Sequence, residues 1–122
     1  LARELSLDGN VTRSLDARIA CRYVRRELRA LNEEDKEALL HTMKILYDVP
    51  LDEGRSLYGP EYLDLWSLYK IHFRGASDIN CDRFHDGIGF IVAHTMISNV
   101  FEEALQVVNP RVTLPYWDFT MD

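Results

Sequence analysis

The strongest constraint on the fold of this 122-residue chain is a helical apolar face along residues 89–108. Six side chains of this segment recur every three or four residues and fall on one side of a helix: Phe90, His94, Ile97, Phe101, Leu105 and Val108. Asn109-Pro110 ends the segment, because a residue that precedes proline disfavours the helical conformation. The pattern predicts a long amphipathic helix with a histidine in its apolar stripe.

Two further helices are predicted from the same kind of signal. The first covers residues 33–47, begins after the N-cap Asn32 and ends at Val49-Pro50. Its apolar stripe is predicted to contain Leu39, Met43 and Leu46. The second begins near Pro60 and ends about Gly75. Its stripe is predicted to contain Leu65, Leu68, Tyr69 and His72. Residues 51–58 are predicted as a loop and no strand pair is expected, so the fold class is all-α with long loops.

The charge and hydropathy of the chain exclude several kinds of partner. There are 20 acidic and 14 basic residues, a net charge of −6, whereas nucleic acids and anionic membranes bind basic surfaces. No apolar run approaches the ~20 residues of a membrane span, and no secretory signal begins the chain. One basic cluster is present: Arg22, Arg25, Arg26 and Arg29. We interpret these arginines as solvated or paired with the adjacent acidic stretch, with a phosphate-binding patch as the alternative.

Three of the four histidines fall within 23 positions: His72, His85 and His94. A buried neutral imidazole needs a hydrogen-bond partner or a metal, and two of these three lie in apolar stripes. A straight helix would place His85 and His94 on opposite sides, but Gly87 and Gly89 let the chain bend between them. The spacing therefore predicts a set of three imidazoles, which suits copper or zinc. The fourth histidine, His41, shares no motif and is predicted to be a surface or structural residue.

A longer pattern surrounds these histidines. After the first histidine come a loop with a cysteine, a second histidine, a phenylalanine, a third histidine nine residues after the second, and a glutamate eight residues later. Leu-Pro-Tyr-Trp-Asp follows at residues 114–118, and residues 25–36 read Arg-Arg-Glu-Leu-Arg-Ala-Leu-Asn-Glu-Glu-Asp-Lys. Over roughly residues 21–122, this combination resembles the first copper-binding half of the tyrosinase copper-binding domain, which tyrosinases, catechol oxidases and molluscan haemocyanins share.

The resemblance implies a copper site and a fold. The ligands that it implies for the first copper are His72, His85 and His94. It also implies a helical bundle, the N-terminal half of a di-copper four-helix core, in which residues 1–122 form a single partial domain without the second copper site. We expect the missing half to lie in a longer protein. The resemblance further implies that Phe90 packs against the imidazoles. Candidates for orienting the ligands are Glu102 and Asp118, and Tyr116 and Trp117 are expected in the core.

Two departures from the family pattern bear on the site. The family usually has Trp-His-Arg at the third ligand, whereas this chain has Ala93-His94-Thr95. The loop cysteine, Cys81, is four residues before His85 instead of the more usual two. A thioether to histidine, a disulfide with Cys21 and a free thiol all stay open for Cys81, and the two cysteines indicate no compartment.

The function that the resemblance implies is type 3 copper oxidation of phenols or catechols with O2. Dioxygen and phenolic small molecules are then the partners of the intact, tyrosinase- or catechol-oxidase-like protein. Two alternatives stay open: haemocyanin-like reversible O2 binding, and a non-catalytic helical scaffold that binds one metal or none. Because three imidazoles make one site, the 122-residue chain alone is expected to bind about one Cu or Zn ion. It is also expected to be inactive, because one copper cannot supply both electrons that O2 takes up.

Overall fold

A computed structural model describes residues 2–15, 22–78, 80 and 82–122 of the chain. Its body contains four α-helices, α1 (Glu33–Asp48), α2 (Leu51–Tyr58), α3 (Leu65–Ala76) and α4 (Gly89–Val108). Two short 3-10 helices occur at Leu28–Ala30 and Phe119–Met121. Helices α1, α3 and α4 pack against one another, and the all-α class is confirmed.

A two-stranded antiparallel ribbon precedes the helical body, although no strand pair was expected. Its strands are β1 (Ala2–Leu5) and β2 (Val11–Leu15). They have only four and five residues, too few for a clear period-two alternation to stand out. The turn between them contains Gly9 with φ of +82°, a conformation that favours glycine.

The helix boundaries follow local capping signals, with one correction. The Asn32 side chain accepts from the Asp35 N–H, which begins α1 at the predicted residue, and α4 has the predicted bounds. Residues 51–58 form α2, so the prediction of a loop there was wrong. The second predicted helix begins at Leu65, where Asp64 caps it, and not near Pro60.

Gly54 explains why α2 was missed. This glycine favours a loop by composition, but in the structure it lies inside a helix against the Tyr62 ring. A Cβ atom at this position would lie 1.9 Å from Tyr62 Cε1. The glycine therefore serves close packing and not a turn.

The core lies where α1, α3 and α4 meet, around residues that the helices and the adjoining loops contribute. The buried apolar cluster contains Leu31, Leu39, Leu46, Tyr62, Leu68, Ala104, Leu105 and Val112. The Tyr62 hydroxyl lies at the end of α1 and donates to the carbonyl of Val49 at 2.9 Å. Desolvation raises the pKa of this hydroxyl to about 12.

The apolar stripes are only partly as predicted. On α1, Thr42 takes the buried position beside Leu39 and Leu46, whereas Met43 is exposed. On α3, Leu68 is buried, but Leu65 and Tyr69 are exposed. The exposed side of α3 carries stacked aromatic rings, with the Trp66 and Tyr69 centroids 5.0 Å apart.

The segment after α4 crosses back over the N-terminal part of the body. Its backbone pairs in parallel with the chain before α1: the Leu28 N–H donates to the Tyr116 carbonyl at 2.8 Å, and the Tyr116 N–H donates to the Arg26 carbonyl at 3.0 Å. The backbone makes these contacts, and the two aromatic rings of this part of the segment lie outside. Tyr116 and Trp117 are 53% and 63% exposed, so their expected place in the core was wrong.

Three of the four clustered arginines are paired with carboxylates. Arg25 contacts Glu102 at 2.6 Å, Arg26 contacts Asp35 at 2.6 Å, and Arg29 contacts Glu27 at 2.9 Å. Only Asp35 belongs to the adjacent acidic stretch, whereas Glu27 lies within the arginine cluster and Glu102 on α4, so the pairing differs in part from the predicted one. Among the described residues, no helix has both the length and the hydropathy needed to cross a membrane.

Candidate metal centre

Three imidazoles from separate parts of the chain converge at one end of α3 and α4. His72 lies on α3, His94 on α4, and His85 in the turn between these helices. The ring centroid of His72 lies 5.1 Å from that of His85 and 5.5 Å from that of His94. The centroids of His85 and His94 are 5.5 Å apart. One ring nitrogen from each residue lies within 4.8 Å of the other two. The predicted convergence of the three histidines is thus present in the structure.

The Asp82 side chain holds the turn that carries His85. Asp82 Oδ1 accepts from the N–H groups of Phe84 and His85 at 3.0 and 2.9 Å. Gly87 has φ of +68°, and its carbonyl accepts from the Phe90 N–H at the start of α4. This bend returns the chain toward His94, as the glycine pair predicted.

Hydrogen bonds determine which nitrogen of two rings carries the proton. His85 Nδ1 lies 2.7 Å from Asp82 Oδ2, and His94 Nδ1 lies 2.8 Å from the Phe90 carbonyl oxygen. A carboxylate and a carbonyl only accept, so in the neutral rings both Nδ1 atoms are protonated. The Nε2 atoms of His85 and His94 therefore keep the lone pairs that a metal ion requires.

Phe84 forms the buried base of the cluster. Only 8% of this residue is exposed, and its ring meets the rings of His72 and His94 edge-on at 5.2 and 5.8 Å. Gly75 makes room for it, because a Cβ atom there would lie 1.8 Å from Phe84 Cε2. Phe90 packs on His94 at 4.4 Å, which confirms the expected contact between Phe90 and an imidazole.

The donor set fits copper better than the hard cations. Three neutral imidazoles suit Cu or Zn, whereas Mg²⁺ and Ca²⁺ prefer oxygen ligands. Asp82 adds a carboxylate next to His85. Partial burial acts to raise the pKa of Asp82, but hydrogen bonds from the His85 ring and from the His85 and Phe84 N–H groups outweigh it and lower the pKa.

The two carboxylates named as candidate orienting groups contact other residues instead. Glu102 accepts from Arg25 and from the Leu114 N–H, and Asp118 accepts from the N–H and hydroxyl of Thr120. His41 is exposed on α1, as predicted. Sequence reasoning missed Asp82 and Phe84, although an aspartate three residues before a clustered histidine is a visible signal for a cap that also reaches the ring.

An open apolar cleft of about 610 Å³ adjoins His72. Helix α3 contributes Trp66 and Tyr69 to its lining, and α4 contributes Ile97 and Phe101. The histidine cluster thus borders, through His72, a surface that consists mainly of aliphatic and aromatic side chains.

Comparison with known proteins places this site in a family. Residues 60–122 match the common central domain of tyrosinase, and all three clustered histidines lie within that range. Grixazone synthase of Streptomyces griseus subsp. griseus is 55% identical over 38 residues, which cover 31% of this chain and 12% of the relative. Tyrosinase-like protein 2 of Margaritifera margaritifera is 33% identical over 99 residues, 81% of this chain and 19% of the relative.

The chain spans less than a fifth of the length of these curated relatives. No solved structure matches it significantly. The matched central domain covers just over half of the chain and includes the whole histidine cluster. The chain therefore belongs to the tyrosinase family.

Proposed function

We propose that His72, His85 and His94 bind one copper ion, and that this chain carries the first copper site of a type 3 copper oxidoreductase. The observation that carries the proposal is the convergence of three imidazoles whose ligand atoms lie within 4.8 Å of one another. The membership of the chain in the tyrosinase family selects copper over zinc, which the donor set alone would also accept.

In the proposed protein, residues 1–122 are one part of a tyrosinase-like copper domain. Outside the cluster the sequence has a single further histidine, His41, and it is exposed on another helix. The three ligands of a second copper would thus come from residues other than these. The family match and the name of one relative, a tyrosinase-like protein, support an oxidative function for the whole protein.

When bound as a pair, copper ions exchange two electrons with O2 and oxidise phenols or catechols. The residues of this chain supply the setting for that chemistry. Backbone and carboxylate acceptors orient two of the three rings, and Phe84 and Phe90 restrict their rotation. The open apolar cleft beside His72 suits the ring of a phenolic substrate.

Metal titration tests the ligand assignment. The metal-free chain is titrated with Cu(I) under anaerobic conditions in competition with a chromophoric chelator. We expect about one copper per chain for the wild type, loss of this binding in a His85→Ala, His94→Ala variant, and retention in His41→Ala.

His41→Ala is the matched control, because it removes an imidazole that lies outside the cluster. His85 lies in a turn and is exposed, so the single variant His85→Ala is expected to keep the helices, which circular dichroism checks, and it separates a ligand effect from unfolding. Equal stoichiometry in the wild type and the double variant would contradict the assignment.

A further inference from the structure

Asp82 divides its two carboxylate oxygens between the backbone and the ring of the same histidine. Oδ1 accepts from the N–H groups of Phe84 and His85, and Oδ2 lies 2.7 Å from His85 Nδ1. The backbone contacts hold the carboxylate in place, so the direction of its second oxygen is determined by the turn itself. The side chain of Asp82 is 22% exposed, half the value of His85 at 44%.

His85 has more need of such a contact than the other two histidines. His72 and His94 project from helices, and the Phe90 carbonyl in the preceding turn of α4 holds the His94 ring. His85 lies outside any helix and is the most exposed of the three. Without the Asp82 contact its ring could rotate, and its proton could occupy either nitrogen.

We propose that Asp82 is the positioning residue of the candidate copper site, which holds the His85 ring so that Nδ1 keeps the proton and Nε2 faces His72 and His94. Its role toward copper rests on the proposed function, whereas its effect on the ring does not. A carboxylate hydrogen-bonded to a ligand imidazole fixes the tautomer and makes the ring a stronger donor. The negative charge also favours Cu(II) over Cu(I), since it lies close to the metal-binding nitrogens.

Asp82→Asn is the sharpest variant, because it changes one contact and keeps the other. The amide oxygen of Asn can still accept from the two backbone N–H groups. Its NH2 group then faces His85 Nδ1 and can only donate, so the ring must accept there and move its proton to Nε2. The variant is thus expected to keep the turn and to block the nitrogen that would bind copper.

Two readouts test the proposal. Long-range ¹H–¹⁵N NMR of the metal-free chain at about pH 8, where an ordinary imidazole is neutral, reports the tautomer of His85. We expect the Nδ1–H form in the wild type and the Nε2–H form in Asp82→Asn. Copper titration is expected to show a loss of affinity of about 10–100-fold in the variant, with Cu(II) binding weakened more than Cu(I) binding.

Asp86→Asn is the matched control, because Asp86 is exposed, adjacent to His85 in sequence and equal in charge to Asp82. It should retain both the wild-type tautomer and the wild-type affinity. An Nε2–H tautomer in the wild type, or wild-type copper affinity in Asp82→Asn, would overturn the proposal. If the wild type itself fails to bind copper, the proposed function fails, and the tautomer comparison still decides the role of Asp82.

Discussion

Glu102 joins three segments of the fold, and its replacement should destabilise the chain in a pH-dependent way. Its carboxylate accepts from Arg25 at 2.6 Å and from the Leu114 N–H at 2.9 Å. The same Arg25 donates to Asn99 at 2.8 Å. Glu102 thereby ties the segment before α1 and the segment after α4 to the helix that carries His94.

The size of the effect follows from the exposure of the two partners. The Glu102 side chain is 14% exposed, but Arg25 is 38% exposed, so solvent screens part of the attraction. We expect Glu102→Gln to cost about 1–2 kcal/mol in the free energy of unfolding, less than the 3–5 kcal/mol of a fully buried broken pair. Glu102→Ala also leaves the Leu114 N–H without its acceptor and should cost about 1 kcal/mol more.

The pH dependence has a definite sign. The hydrogen bond from Arg25, together with that from the Leu114 N–H, lowers the pKa of Glu102 in the folded chain below its usual value of 4.5. A carboxyl whose pKa is lowered by folding stabilises the fold above its unfolded pKa. This contribution is lost as the pH falls below 4.5 through the folded pKa.

Urea unfolding followed by circular dichroism at pH 7 and at about pH 3 measures this contribution. Glu103→Gln is the matched control, because Glu103 is the exposed neighbour on the same helix. The free energy of unfolding of the wild type should be higher than that of Glu102→Gln at pH 7, and the two values should approach each other at pH 3. Glu103→Gln should have the wild-type value at both pH values. Equal stability of the two Gln variants at pH 7, or a difference that persists unchanged at pH 3, would refute the reasoning.

Three further results are expected. Gly75→Ala should cost about 1–3 kcal/mol in the free energy of unfolding and weaken copper binding, because the new methyl group displaces Phe84 beneath the histidines; unchanged urea unfolding and copper titration would contradict this. Tyr62→Phe should cost about 1 kcal/mol, since it removes the hydrogen bond to the Val49 carbonyl, and Tyr58→Phe in the same urea assay is its control. The isolated chain loaded with copper should form no quinone from a catechol in a spectrophotometric assay, because one copper supplies too few electrons for O2; steady quinone formation by the monomer would contradict this.

Local signals in the sequence predicted the parts of the fold that depend on neighbouring residues. The Asn32 cap and the Asn109-Pro110 stop were enough for the start of α1 and the end of α4. Helix α2 was missed because Gly54, which is typical of a loop, is required here by close packing against the Tyr62 ring. The local sequence pattern does not reveal that contact. Packing partners of this kind become visible only when the fold is known.

The candidate site divides in the same way. The spacing of the histidines and the glycine bend predicted their convergence, since a bend at Gly87 directs the chain after His85 back toward His94. The supporting residues were missed: Phe84 contacts two rings through the tertiary fold, and Asp82 was overlooked beside them. Cys21 and Cys81 lie outside the described residues, so a disulfide, a thioether and a free thiol stay as predictions for them.

X-ray absorption at the copper edge of the Cu(I)-loaded chain tests the central claim most directly, because it counts the ligands and identifies their atoms. We expect three nitrogen scatterers at about 2.0 Å with the multiple scattering of imidazole rings, by analogy with metal–histidine distances at zinc. The signal of the three rings should be lost in the double variant His85→Ala, His94→Ala, and it should be unchanged in the single variant His41→Ala. A sulfur scatterer at about 2.3 Å in place of an imidazole, or the same spectrum in the double variant, would contradict the three-histidine copper site.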